Sequence, residues 1–248
     1  MEALQLTTRG RLHPYVCQSI EVRPNPPKVG VPTVLALALA NSGPEPLTVS
    51  RVSFKVSQFG MGAHWEELPP LGPFQVPADS MHCEVVQQEW TPTTGGHRCV
   101  QAMIQVESLP RPIYAQRNLS VIQSSAERSG WQVPFTLGNP EEKRLPLTLR
   151  VEQQGAQVGT ALVVNGHVVR VGEPIWLDPH EEVEAYLLLR ALTAAPIASE
   201  HAVEAFLDGR FLDGIRVALQ RPALRRFLPE EGQPGAVLVE QEALALVR

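Results

Sequence analysis

The sequence predicts an all-β chain built as two antiparallel β-sandwiches in tandem, with a short C-terminal tail. Three observations carry this. Apolar residues alternate with a period of two through most of the chain. The alternating segments are short and separated by turns rich in proline and glycine. The order of segments and turns then recurs about 100 residues later. Composition agrees: of 248 residues, 44% are hydrophobic and 19% charged, a globular balance. The 23 prolines favour short strands joined by fixed turns, because proline breaks helix interiors and cannot donate to a ladder.

The first strands read directly. In VLALALAN, Leu35, Leu37 and Leu39 share one face and Ala36, Ala38 and Ala40 the other, as in a buried strand. RVSFKVSQF sets Val52, Phe54 and Val56 against polar residues, and YVCQSIEV puts Val16, Ile20 and Val22 on one side. Further strands are expected over Cys83–Trp90, His97–Val106 and Asn118–Gln123, with RPNPPKVG, NSGPEP, LPPLGP, TPTTGG and LPRP as the turns between segments.

The second half repeats the plan. LALANSGPEPLTVSRV ends a strand on Asn41 and resumes at Pro46; PFTLGNPEEKRLPLTLRV ends one on Asn139 and resumes at Pro146. PADSMHCEVVQQEW matches LDPHEEVEAYLLLR, and GGHRCVQAMIQV matches SEHAVEAFLDG, setting His97 against His201. A spacing of about 100 residues is the size of one immunoglobulin-like sandwich. The expected division is therefore 12–123, 130–220 and a tail over 221–248, with the polar QSSAERSG as the joint.

Three features of the first half, ANSGPEP after an apolar strand, GGHRCVQAMI before a late strand and AQRNLSV leading into the last, resemble bacterial CARDB-like, adhesion-type immunoglobulin-like domains. The resemblance covers nearly all of the first half. It implies a binding, spacing or assembly module without catalysis, and the second half is similar to a diverged partner domain. Family members usually carry an acidic or Asn-rich loop before AQRN; here that loop is ESLPRPIY, which departs from the pattern of a cation site.

Charge narrows the partners. A net charge of -5 argues against nucleic acid and against a polybasic membrane contact. The longest apolar run, Val34 to Ala40, is far too short to span a bilayer. The N-terminal MEALQLTTRGRLHPY has no apolar h-region and carries Glu2 at once, so it does not read as a secretory signal. The expectation is a cytoplasmic chain, or an exported one whose leader has been removed. The three cysteines, Cys17, Cys83 and Cys99, are an odd number and do not make a disulfide scaffold.

Two His/Cys pairs, His82-Cys83 and His97–Cys99, raise the question of a metal. A closed zinc site needs four ligands at close quarters, and strand alternation sends His82 and Cys83 to opposite faces. Along His97–Val106 the apolar set Val100, Ala102, Ile104 and Val106 leaves Cys99, Gln101 and Met103 on the less buried face. No G-x-S-x-G elbow, phosphate-cradling loop or dinucleotide fingerprint is present. Adjacent acids such as Glu141-Glu142 read as solvated turns, and Asp208-Gly209 and Asp213-Gly214 both read as hairpin turns. The expectation is a chain with no catalytic residue, metal or cofactor.

What remains is interaction. The expected function is a non-catalytic structural or protein-interaction module that works through a protein partner or self-assembly. The alternative is a carbohydrate- or surface-binding accessory module of a larger enzyme system. Aromatics are 6% of the chain and the four tryptophans lie apart, which favours protein partners over sugars; Trp65, in the loop MGAHWEELPPLGPF, is the best exposed aromatic candidate. The tail GAVLVEQEALALVR follows the breaker-rich LPEEGQPG, and its Val237, Val239, Leu244 and Leu246 need covering. They are expected to pair with a sheet edge in this subunit or a neighbour.

Overall fold

The structure, a computed structural model, describes residues 4–5, 19–78, 84–155 and 157–222. Ten strands come from the first half: β1 (Leu4–Gln5), β2 (Ile20–Arg23), β3 (Thr33–Ala40), β4 (Leu47–Gln58), β5 (Gly60–Met61), β6 (Glu66–Glu67), β7 (Phe74–Val76), β8 (Glu84–Trp90), β9 (Arg98–Val106) and β10 (Ile113–Arg117). Nine follow: β11 (Leu119–Gln123), β12 (Gly130–Gly138), β13 (Leu145–Gln154), β14 (Val158–Val164), β15 (His167–Val169), β16 (Ile175–Leu177), β17 (Glu182–Ala191), β18 (Ile197–Leu207) and β19 (Arg210–Arg221). The described residues contain no helix, so none is long and apolar enough to cross a membrane.

Four sheets stack in two pairs. In the first sandwich one sheet centres on β3, with β8 along one side and β2 and β1 along the other. Its partner sheet runs β10-β9-β4, with β6 and β7 on the far side of β4. In the second sandwich the sheets run β15-β14-β17-β12-β5 and β11-β19-β18-β13-β16. The repeat is realised as topology: β3 pairs with β8 as β12 pairs with β17, and β4 with β9 as β13 with β18.

Period-two patterning explains which side of each strand is covered. β12, GWQVPFTLG, buries Trp131, Val133, Phe135 and Leu137 in turn, and β18 and β19 follow the same rule. β3 is buried on both faces, as its leucine and alanine faces predict. The Asn-Gly of 165–166 and the Asp-Gly of 208–209 take φ of 50° and 77°, and 49° and 75°. They form two-residue hairpin loops whose left-handed positions suit those residues. Asp213-Gly214 differs from expectation. It lies inside β19 and turns nothing; the hairpin already closes at Asp208-Gly209.

Two apolar cores form. One contains first-half residues alone, among them Leu35, Leu37, Phe54, Ile104 and Trp90. The other fills the second sandwich and also takes in Phe59, Met61 and Cys99 from the first half. β11, placed by the sequence at the end of the first unit, runs parallel to β19 in the second sandwich.

Candidate interaction surfaces

The two sandwiches meet along a seam built from three short stretches of the first half. The chain leaves β4 at Gln58 and immediately forms β5, which lies parallel to β12 with Gly60 opposite Thr136 and Met61 opposite Leu137. The Thr136 amide donates to the Phe59 carbonyl at 3.0 Å, and the His64 amide donates to Glu182 Oε1 at 2.6 Å. Met61 is completely buried in the core of the second sandwich. The approach of the backbones requires glycine: a Cβ on Gly60 would strike the Thr136 carbonyl, and one on Gly62, at φ 69°, would strike the Gly138 carbonyl.

A polar cluster forms the second stretch. Gln116 Nε2 donates to Asp213 Oδ1 at 2.8 Å, Asn118 Nδ2 to the same oxygen at 3.2 Å, and the Gly214 amide at 2.7 Å. Asn118 also donates to the Gly214 carbonyl at 3.0 Å, while its own carbonyl accepts from the Arg216 amide at 2.9 Å. Burial pushes the Asp213 carboxyl up to about 7, against the three donors that favour its charge. Asn118 is fully buried, so the Asn-Leu-Ser triplet offers no accessible glycan acceptor in the folded chain.

Cys99 belongs to the third stretch and corrects the expectation of a less buried face. It is completely buried, because the second sandwich covers that end of β9. The Gly60 amide donates to its Sγ at 3.4 Å. Burial raises the thiol's pKa well above the usual range, which disfavours the nucleophilic thiolate. Gln101 and Met103, further along the same face, are half-buried as expected. His97 precedes β9, with its ring 6.0 Å from Phe59, and desolvation lowers its pKa. His201 at the matched position is fully buried, and its Nε2 lies 3.0 Å from Ser199 Oγ. His82 and Cys83 lie outside the described residues. Among those described, no three His, Cys, Asp or Glu side chains gather closely enough to hold a metal ion.

Beside the seam is a cleft of about 440 Å³, walled by Phe59, His97 and Arg98 from the first sandwich and by Val133, Phe135 and Glu182 from the second. An adjoining hollow of about 270 Å³ shares Gln58, Arg98 and Glu182. Arg98 is committed to Thr94, donating to its carbonyl and hydroxyl oxygens.

The aromatic surface is elsewhere than the sequence suggested. Trp65 is half-buried and packs against the core of the second sandwich. Trp176, on edge strand β16, is 55% exposed, and the Arg144 guanidinium lies 5.7 Å from its ring centroid. Two strands away Phe206 of β18 packs edge to face at 5.8 Å against Phe211 of β19, which is exposed. The signal was present in IWL: Ile175 and Leu177 alternate inward, which sends Trp176 outward. Val237, Val239, Leu244 and Leu246 lie outside the described residues.

No protein-family model matches the chain, and none of the curated proteins matches it. Solved structures show partial likeness. Red sea bream transglutaminase aligns at a TM-score of 0.29 and 10% identity, over 82% of this chain and 31% of that one. The CupB6 tip adhesin from Pseudomonas aeruginosa aligns at 0.33 and 8%, over 85% and 97%. A Salmonella alpha-2-macroglobulin mutant aligns at 0.29 and 10%, over 82% and 16%. The chain thus spans about a third of the transglutaminase it matches and a smaller part of the macroglobulin. Likeness at this level assigns the chain to no family and carries no function.

Proposed function

We propose that this chain is a non-catalytic structural or protein-interaction module, of the CARDB-like adhesion type, that presents two immunoglobulin-like sandwiches at a set angle to a protein partner or assembly. The observation that carries the reading is the seam. Met61 enters the neighbouring core, Gly60 and Gly62 allow backbone contact, and β11 passes into the second sandwich, so the two sandwiches are coupled by burial rather than by a flexible linker. A spacer or scaffold needs that geometry, because a fixed orientation lowers the ordering cost when a partner binds both units. The reading assigns no catalytic step and no cofactor to the chain.

The test uses complexes isolated from the native host with the full chain and with Met61→Asp. The reading expects a stoichiometric protein partner that is lost when the seam is opened, while circular dichroism still reports strand. Retention of the partner by the opened variant would contradict it. One observation favours the alternative of a carbohydrate-binding module: the outward Trp176 with Arg144 beside it and the Phe206–Phe211 pair on the same sheet. Polysaccharide binding by the full chain, abolished by Trp176→Ala, would move the assignment there.

A further inference from the structure

A carboxyl group sits where the two sandwiches are held together. Asp213 belongs to β19 of the second sandwich, and two of its donors come from the strand that joins the units. Gln101 of β9 donates Nε2 to Gln116 Oε1 at 3.0 Å, and Gln116 of β10 donates Nε2 to Asp213 Oδ1 at 2.8 Å. The first bond occupies the acceptor end of the Gln116 amide, so its donor end faces Asp213. Asn118, at the crossing from β10 to β11, donates to the same oxygen at 3.2 Å. A polar chain thus runs from the first sandwich through the crossing to β19.

Few charged groups surround this carboxyl. β9 brings the Cys99 thiol, whose ionisation the Asp213 charge opposes. On β10 Arg117 follows Gln116, and its guanidinium donates to the Ile20 carbonyl at 3.1 Å. Across β18 Ala205 stands opposite Asp213 and Glu204 opposite Gly214. On β19 itself Arg216 pairs with Glu200 at 3.1 Å. β5 and β11 add no titratable side chain. Among the described residues no cation pairs with Asp213, and its three donors are neutral amides. A protonated carboxyl needs an acceptor, and one stands idle in the cluster. Asn118 Oδ1 is buried and has no hydrogen-bond partner among the described residues.

We propose that the seam is a proton-controlled joint: protonated Asp213 holds the two sandwiches closed, and its ionisation lets them part while the β10–β11 crossing keeps them tethered. A carboxylate in this cluster has lost much of its water and gained no counter-charge, and burial pushes its pKa up to about 7. When the seam parts, water reaches the carboxyl and it returns towards the ordinary value near 3.9. The proton therefore binds the closed form more tightly, and raising the pH favours the open one. Between pH 5 and pH 8 these two values allow the open fraction to rise by up to about 80-fold. Opening uncovers Cys99, which is completely buried in the closed seam with the Gly60 amide donating to its Sγ at 3.4 Å. The joint needs no partner, so its failure would leave the function proposed above standing.

Thiol labelling tests this in the full chain carrying Cys17→Ser and Cys83→Ser, which leaves Cys99 as its thiol. N-ethylmaleimide is applied from pH 5 to pH 8, with and without Asp213→Asn. Thiolate formation speeds labelling in both chains as the pH rises, so the Asp213→Asn chain is the reference. Relative to it, labelling of the chain with Asp213 should gain at least about tenfold over this range. Parallel profiles would overturn the proposal. Hydrogen exchange in the unaltered chain is the second measurement. The Thr136 amide, bonded across the seam to the Phe59 carbonyl at 3.0 Å, should lose at least about tenfold in protection, corrected for base catalysis, from pH 5 to pH 8. The amides of β17, inside its sheet, should hold. Equal losses at Thr136 and in β17 would also overturn the proposal, because the second sandwich would then be unfolding as a whole.

Discussion

Asn41 and Asn139 stand at matched corners of the two sandwiches and do the same work. Each takes the amide two residues on at its Oδ1, Gly43 at 2.9 Å and Glu141 at 3.1 Å. Each donates Nδ2 to the carbonyl four residues on, Glu45 at 2.6 Å and Lys143 at 2.8 Å. Away from that corner the sandwiches diverge. The first fills its core from its own strands, whereas the second takes Phe59, Met61 and Cys99 from the first, whose β5 also extends the sheet of β12. The repeat therefore copies a plan without copying independence: the second unit is completed by the first.

The sharpest way to break this comparison is at Met61. Met61→Ala leaves a cavity in the second core, and losses for buried methionine are about 2–5 kcal/mol. Although Met61 is encoded in the first half, urea unfolding with hydrogen exchange should show the loss in β12 and β17. A loss confined to β3 and β8 would contradict the asymmetry.

A pH titration sharpens the comparison next, because Asp213 is the half-buried, hydrogen-bonded carboxyl of the seam. Its folded-state pKa, about 7, lies above the ordinary value near 3.9, so the folded state holds the proton more tightly than the unfolded chain. This contribution is fully present below about pH 4 and is lost as the pH rises to about 7. Three pKa units set a ceiling of about 4 kcal/mol on the fall. Asp213→Asn should flatten the slope in that window; an unchanged slope would remove Asp213 from the account.

The corners give a smaller effect with a built-in control. Asn139 Nδ2 also reaches the carbonyls of Leu177 at 3.1 Å and Asp178 at 3.0 Å, tying the turn to β16. Asn139→Ala should therefore cost more than Asn41→Ala, each within about 1–3 kcal/mol. Equal losses in melting measurements would mean that the extra bonds contribute nothing. Smallest of all is Arg144→Ala. It removes an exposed cation from over Trp176 and breaks the surface pair with Asp178, so stability should change by less than about 1 kcal/mol.

Much of this fold was legible in the sequence. Alternation located β3, β4 and β9, and the repeat exposed by the two Asn turns carried the reading to β12 and β18. The seam was not legible, for physical reasons. A two-residue strand such as Gly60-Met61 has no period to read, and its glycines look like loop residues until Thr136 and Gly138 lie against them. Alternation says which face of β9 is more apolar but not what covers the other, so Cys99 read as the more open side. Asp213 read as a turn residue because Asp-Gly favours turns, yet register across β18 and β19 holds it in a strand. Trp65 read as exposed because its covering comes from the neighbouring sandwich, which local pattern does not contain, whereas the outward Trp176 could have been read from the alternation of IWL.

Scanning calorimetry tests the central claim, that the second sandwich is completed by the first. For the unaltered chain the account predicts one transition whose calorimetric and van't Hoff enthalpies agree, and two separated transitions for Met61→Asp, the second sandwich melting first. Two transitions in the unaltered chain, unmoved by Met61→Asp, would contradict it.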